Sequence, residues 1–99
     1  MRYKVVEDGR VQRKARSLFV RERARYLDIK KALGESPHPG ETDRISQLDF
    51  DDGLSIYSFV APAFTLMVVY TIREPDSGES EGEVRIIALI DRDAERGTR

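Results

Sequence analysis

The chain has 99 residues, 39% of them hydrophobic and 35% charged, enough for one domain with one modest core. It contains no cysteine, which excludes disulfides and thiolate metal sites and fits a reducing cytosol. Its net charge of −1 conceals strong polarity, because nine Lys and Arg between Arg10 and Leu33 face only Glu22 and Asp28.

Tyr3 to Glu7 reads as a short strand, broken by Asp8-Gly9. Acids at Glu7 and Asp8 leave no apolar region for a secretory leader. From Arg10 the pattern becomes helical: Val11, Ala15, Leu18/Phe19, Tyr26, Ile29 and Leu33 recur at three- and four-residue steps. Glu22 interrupts that stripe, and Val20, Ala24 and Leu27 form a second apolar set to one side. The segment reads as one long helix or two helices hinged near Phe19–Arg21. Gly34 is expected to end it, with Lys30 and Lys31 at the negative end of the dipole.

Residues 35–40 form a loop by composition, and Thr42 to Leu48 reads as a strand. Asp49-Phe50-Asp51-Asp52-Gly53 reads as a hairpin turn leading into a strand from Leu54 to Val60. A calcium loop built on these acids fails, since Phe59 falls where the bidentate acid belongs. Ala61-Pro62-Ala63 is expected to interrupt the sheet, and Phe64 to Arg73 is a central strand, apolar on both faces. The apolar stretch from Phe59 to Tyr70 is too short to span a bilayer. Glu74 to Glu83 reads as an acidic loop in which Glu79, Glu81 and Glu83 are solvated, and Val84 to Ile90 as the last strand. Residues 1–92 are expected to form a single α+β domain, one or two N-terminal helices on a mostly antiparallel sheet of about four strands, with a flexible tail over 93–99.

The basic helical segment carries the clearest functional signal. Arg10, Arg13, Lys14, Arg16, Arg21, Arg23 and Arg25 are candidate contacts to nucleic acid or to an acidic protein partner. A solvated amphipathic helix would account for the cations, but not for the shortage of acids among them. On or beside the predicted strands lie Tyr57, Tyr70, Arg44, Arg73, Arg85 and Arg92. Arginines on a sheet face can clamp phosphate, and a tyrosine there can stack on a base or move a proton. Cross-strand ion pairs and core tyrosines are the structural alternative. His38, the only histidine, sits between two prolines and reads as a loop residue.

The layout resembles the RelE/ParE superfamily of toxins from toxin–antitoxin pairs. The segments that carry the resemblance are Tyr3-Lys4-Val5-Val6, the charged helical stretch, Leu33-Gly34-Glu35-Ser36-Pro37, Asp52-Gly53-Leu54-Ser55-Ile56-Tyr57, Met67 to Ile72, and Val84 to Arg92. The resemblance implies a compact cytoplasmic bacterial toxin neutralised by an antitoxin that wraps it, with no cofactor and no membrane. RelE-like members cleave mRNA on the ribosome through basic and aromatic residues on the concave sheet face, whereas ParE-like members act on gyrase. Transferred position by position, the family's arginine ahead of the apolar part of the third meander strand falls on Met67. Its basic residues on the preceding strand fall near Ile56 and Ser58, its C-terminal tyrosine or histidine has no counterpart, and Arg92 matches a basic position. The expected catalytic candidates, should ribosome-dependent endoribonuclease chemistry be present, are Arg92, Arg73 and Tyr70. A non-catalytic interaction module of the same fold and a nucleic-acid-binding accessory protein are the alternatives.

Overall fold

The computed structural model describes residues 2–40, 43–48, 55–61, 66–75, 78 and 81–92. The expected turn at 49–53, the interruption at 62–63 and the tail at 93–99 lie outside them. The elements run β1 (Arg2–Glu7), α1 (Gly9–Arg16), α2 (Val20–Glu35), β2 (Ile45–Leu48), β3 (Ile56–Val60), β4 (Leu66–Arg73) and β5 (Glu81–Asp91). They form one five-stranded sheet in the order β1-β5-β4-β3-β2, one strand more than the expected four. The pairs β2–β3, β3–β4 and β4–β5 are antiparallel, and β1 lies parallel to β5. A parallel neighbour requires a crossover, and the two helices supply it, carrying the chain from one sheet edge to the other.

The helical stretch resolves into two helices. Asp8 starts α1 by accepting the Val11 amide on its carboxylate at 2.9 Å. The break comes at Ser17–Phe19, where the Ser17 hydroxyl and backbone amide both turn onto the Lys14 carbonyl. Leu18, inside the break, is nonetheless buried. The second helix runs through Gly34 to Glu35, so Gly34 is not its terminator. A Cβ there would sit 3.4 Å from the Tyr3 carbonyl oxygen and 3.6 Å from the Val5 side chain. Gly34 lets α2 lie close on β1.

Val11, Leu18, Tyr26, Ile29 and Leu33 pack on Leu66, Val68, Tyr70, Val84 and Ile86 to form the core on one face of the sheet. Burial of each such large side chain contributes about 1.5–3 kcal/mol. The alternation in β5 slips at a bulge: Val69 faces Ala88 while Tyr70 faces Ile86, leaving Ile87 as the extra residue. The inward phase therefore changes from Gly82, Val84 and Ile86 to Leu89 and Asp91.

The strand β5 begins at Glu81, inside the expected acidic loop, because Glu81–Glu83 is paired on both sides where β1 and β4 extend. Gly82 fits a narrow gap there: a Cβ would lie 2.6 Å from the Arg73 carbonyl oxygen and 2.7 Å from the Tyr3 ring. On the opposite sheet face, Val6, Val60, Met67, Val69, Ala88 and Ile90 are half-buried, and no described element crosses them. No described helix is long and apolar enough to cross a membrane.

Candidate functional site

The helical hairpin gathers the basic residues on the side of the molecule away from the sheet. In α1, Val11 and Ala15 turn inward, so the 3.6-residue period sends Arg10, Arg13 and Arg16 outward, and all three are exposed. Lys14 is half-buried at the edge of the packed face. On α2, inward Tyr26, Ile29 and Leu33 leave Arg21 exposed. Among the described residues, Arg10, Arg13, Lys14, Arg16 and Arg21 have no carboxylate within ion-pair distance. Their field reaches solvent without local compensation.

Arg23 has a different job. Its guanidinium donates to the Arg16 carbonyl at 2.8 Å and to the Leu18 carbonyl at 3.1 Å, capping the C-terminal end of α1. That end carries the negative pole of the helix dipole, so the cation is well placed. Arg25 turns to another side and borders, with Asp28, Ile29, Arg44 and Phe59, a cavity of about 240 Å³ beside β3. The seven candidate cations therefore divide into four exposed charges, one half-buried lysine, one cap and one cavity wall.

Between the helices lies a cleft of about 450 Å³ bordered by Gln12, Ala15 and Arg16 of α1 and by Arg23, Tyr26, Leu27 and Lys30 of α2, with Glu7 at its end. The Tyr26 hydroxyl donates to one Glu7 oxygen, and the Lys30 ammonium lies 3.2 Å from the other. Lys30 also stands 5.6 Å from the Tyr26 ring centre. Burial, the bond to Glu7 and its negative charge push the Tyr26 phenol well above its usual range. Tyr26 therefore stays a neutral donor and acts as a structural tie between β1 and α2.

The sheet candidates do not meet. Arg73 and Arg92 lie at opposite ends of β4, since Arg73 pairs with Glu83 while Leu66 pairs with Asp91, next to Arg92. At about 3.3 Å per residue the span is roughly 20 Å. Tyr70 points the other way, into the helix-covered core, where it is fully buried. Its hydroxyl donates to the Pro37 carbonyl at 2.7 Å, and its ring stacks on Tyr57 with centres 5.8 Å apart. Strand alternation places Tyr70 and Arg73 of the expected trio on opposite faces, and Tyr70 holds the 35–40 loop onto the sheet. On the open face, Lys4 and Arg73 flank Glu83 in register, and Arg85 lies 3.4 Å from the same carboxylate.

A second cluster was invisible in the sequence. His38 Nε2 lies 2.7 Å from one Glu74 oxygen, and the Tyr3 hydroxyl donates to the other at 2.6 Å. The Tyr3 and His38 rings meet edge to face at 5.5 Å. The bonds from Tyr3 and His38 hold the Glu74 carboxyl below its ordinary pKa. His38 is thus more than a loop residue, clamping the 35–40 segment to the end of β4. The participants are 36 and 71 residues apart in the chain, and no local pattern pairs them.

Among solved structures, the chain is similar to one of the archaeal RelE–RelB complex from Pyrococcus horikoshii OT3, with a TM-score of 0.68. The two share 22% identity over 93% of this chain and 97% of that chain. No protein-family model and no curated protein matches the sequence. Helices packed on a five-stranded mixed sheet in this order are the RelE-like fold.

Proposed function

We propose that the protein is the RelE/ParE-like toxin component of a bacterial toxin–antitoxin pair, neutralised in the cytoplasm by an antitoxin partner. The RelE-like fold supports this reading, and the similar solved chain comes from a complex with RelB. The observation that carries the mechanism is the set of five cations on α1 and α2 without carboxylate partners among the described residues. They make the outer helical face a phosphate-binding surface, and ribosome-borne RNA is the target whose chemistry it fits, with gyrase as the other target that the family suggests. The half-buried apolar residues of the open sheet face offer the antitoxin a surface to cover.

Capture rather than cleavage is the better-supported chemistry. Cutting RNA by 2′-hydroxyl attack needs a proton acceptor and cations converging on one phosphate. Arg73 and Arg92 are separated by the length of β4, and Tyr70 is sealed in the core. That dispersal favours, as a second reading, an interaction module that shares the fold without the nuclease chemistry. Expression of the chain alone in a bacterial host, with and without the adjacent open reading frame, separates the readings. Growth arrest relieved by the neighbour is expected; unimpeded growth at high expression rejects the toxin role. New 5′ ends on ribosome-bound message would restore cleavage, and Arg92→Ala would then be the first variant to examine.

A further inference from the structure

The inward stripe of α2 leaves a second apolar row exposed among the described residues. Val20 is 82% exposed, Leu27 56% exposed, and Ala24 between them is exposed as well. Spacings of four and three residues put the three on one edge of the helix, about 10 Å long at 1.5 Å per residue. Phe19, 56% exposed, stands at its start. Single exposed apolar residues need no explanation, but three on one helix edge, beside a cleft, do. Leu27 belongs to both the row and the α1–α2 cleft, whose lining includes Ala15 and the Tyr26 ring.

The surroundings of this row are positive. Arg16 rises from α1 across the cleft, Arg23 and Lys30 run along one edge, and Lys31 continues the row itself one turn beyond Leu27. Glu7 offsets Lys30. Asp28, four residues after Ala24, borders the row on its other edge, where it lines the second cavity with Arg25 and Arg44 and is the acid nearest the row.

We propose that the Val20–Ala24–Leu27 edge and the adjoining α1–α2 cleft dock an acidic amphipathic helix of a partner protein. Leucine-sized anchors at three- and four-residue steps would lie along Val20 and Leu27, and flanking carboxylates would meet Arg16 and Lys31. A second copy of this chain is disfavoured, because a self-complementary contact would set the same cations against each other. A membrane is disfavoured because Leu27, one end of the row, lines a concave cleft that a bilayer surface would leave unfilled. RNA would use the cations and leave the apolar row unexplained. The occupant would also screen Arg16 from phosphate, so partner and polyanion would compete. As the neutralising contact of an antitoxin, the site rests on the toxin reading; as a helix-docking surface it does not.

The probe is a synthetic glutamate-rich helix of about 16 residues with leucines at heptad spacing, fluorescently labelled and titrated with the full chain. It is expected to bind, and V20S/L27S is expected to weaken it about tenfold or more, as loss of interface anchors does. Both residues are exposed, so the fold, followed by circular dichroism, should persist. Retention of V20S/L27S on heparin should be unchanged, and the peptide should release the wild-type chain from heparin. The proposal is overturned if V20S/L27S binds the peptide normally, or if a peptide with lysine for glutamate binds as well. It is equally overturned if sedimentation shows a dimer that V20S/L27S dissociates, or if anionic vesicles, and not the peptide, bind through these residues. Peptide binding without growth arrest would reject the toxin role and leave the docking surface standing.

Discussion

The five cations of the helical hairpin that have no carboxylate partner among the described residues set a quantitative expectation for salt dependence. Each phosphate contact on a single strand contributes about 0.7 to the slope of log K against log salt, so five contacts would give a limit of about −3.5. Replacing Arg13, Arg16 and Arg21 together by Gln removes three of them, each exposed and without a carboxylate partner. The slope should flatten by about 2, and binding at 0.1 M salt should weaken about a hundredfold relative to extrapolation near 1 M, where the electrostatic contribution fades. The assay is anisotropy of a labelled single-stranded RNA across a salt series, with urea unfolding as a control, since none of the three side chains makes a hydrogen bond or ion pair among the described residues. Arg23→Gln is the instructive contrast: it removes the cap on the Arg16 and Leu18 carbonyls and should lower stability by about 1 kcal/mol. An unchanged slope in the triple variant would refute the helical face as the site. A slope that flattens instead in R73Q/R85Q would move the site to the open sheet face.

Tyr70→Phe should destabilise the fold by about 1–2 kcal/mol in urea, because it strips the buried Pro37 carbonyl of its donor; a change below about 0.5 kcal/mol would show that water replaces the hydroxyl. Gly82→Ala should lower stability by about 1–3 kcal/mol through overpacking. Adding Tyr3→Ala should relieve only part of that loss, since the Arg73 carbonyl remains 2.6 Å from the new Cβ, and full relief would show that the backbone yields. The Glu74 carboxyl, held below its ordinary value of 4.5 by Tyr3 and His38, contributes stability that is present above about pH 4.5 and is lost as pH falls through its lower folded value. The margin of wild type over Glu74→Gln in the urea midpoint should therefore shrink as pH falls below 4.5, and a margin independent of pH would mean that the His38–Glu74–Tyr3 contacts contribute nothing in solution.

Much of the architecture is legible from local periodicity. Val11, Tyr26, Ile29 and Leu33 face the core as their spacing predicts, and the β-branched run of β4 lies in the middle of the sheet. Glu22, conspicuous as the acid in an apolar stripe, is buried in the first turn of α2, where a carboxylate meets the positive end of the helix. The ends of elements were harder to place. Gly34 carries a helix-stop signal, yet α2 continues because β1 needs a residue without a side chain at that level. Glu81–Glu83 has an acidic loop's composition, yet it is strand because β1 and β4 flank it. Pairing with two neighbours outweighs weak local preference.

The amino-acid order alone fixed the concentration of positive charge between Arg10 and Leu33, the α+β class and the apolar edge of Val20, Ala24 and Leu27, because charge and helical period are properties of neighbours in the chain. Only the tertiary structure decided which cations are available. Folding turned Arg23 onto the carbonyls of α1, sent Arg25 to the β3 side, sealed Tyr70 against Pro37 and set Arg73 and Arg92 at opposite ends of β4. It also brought His38, Glu74 and Tyr3 together from three distant segments. The reason is geometric: strand alternation and sheet register determine which side chains share a face, and register is set by long-range pairing that no local window contains.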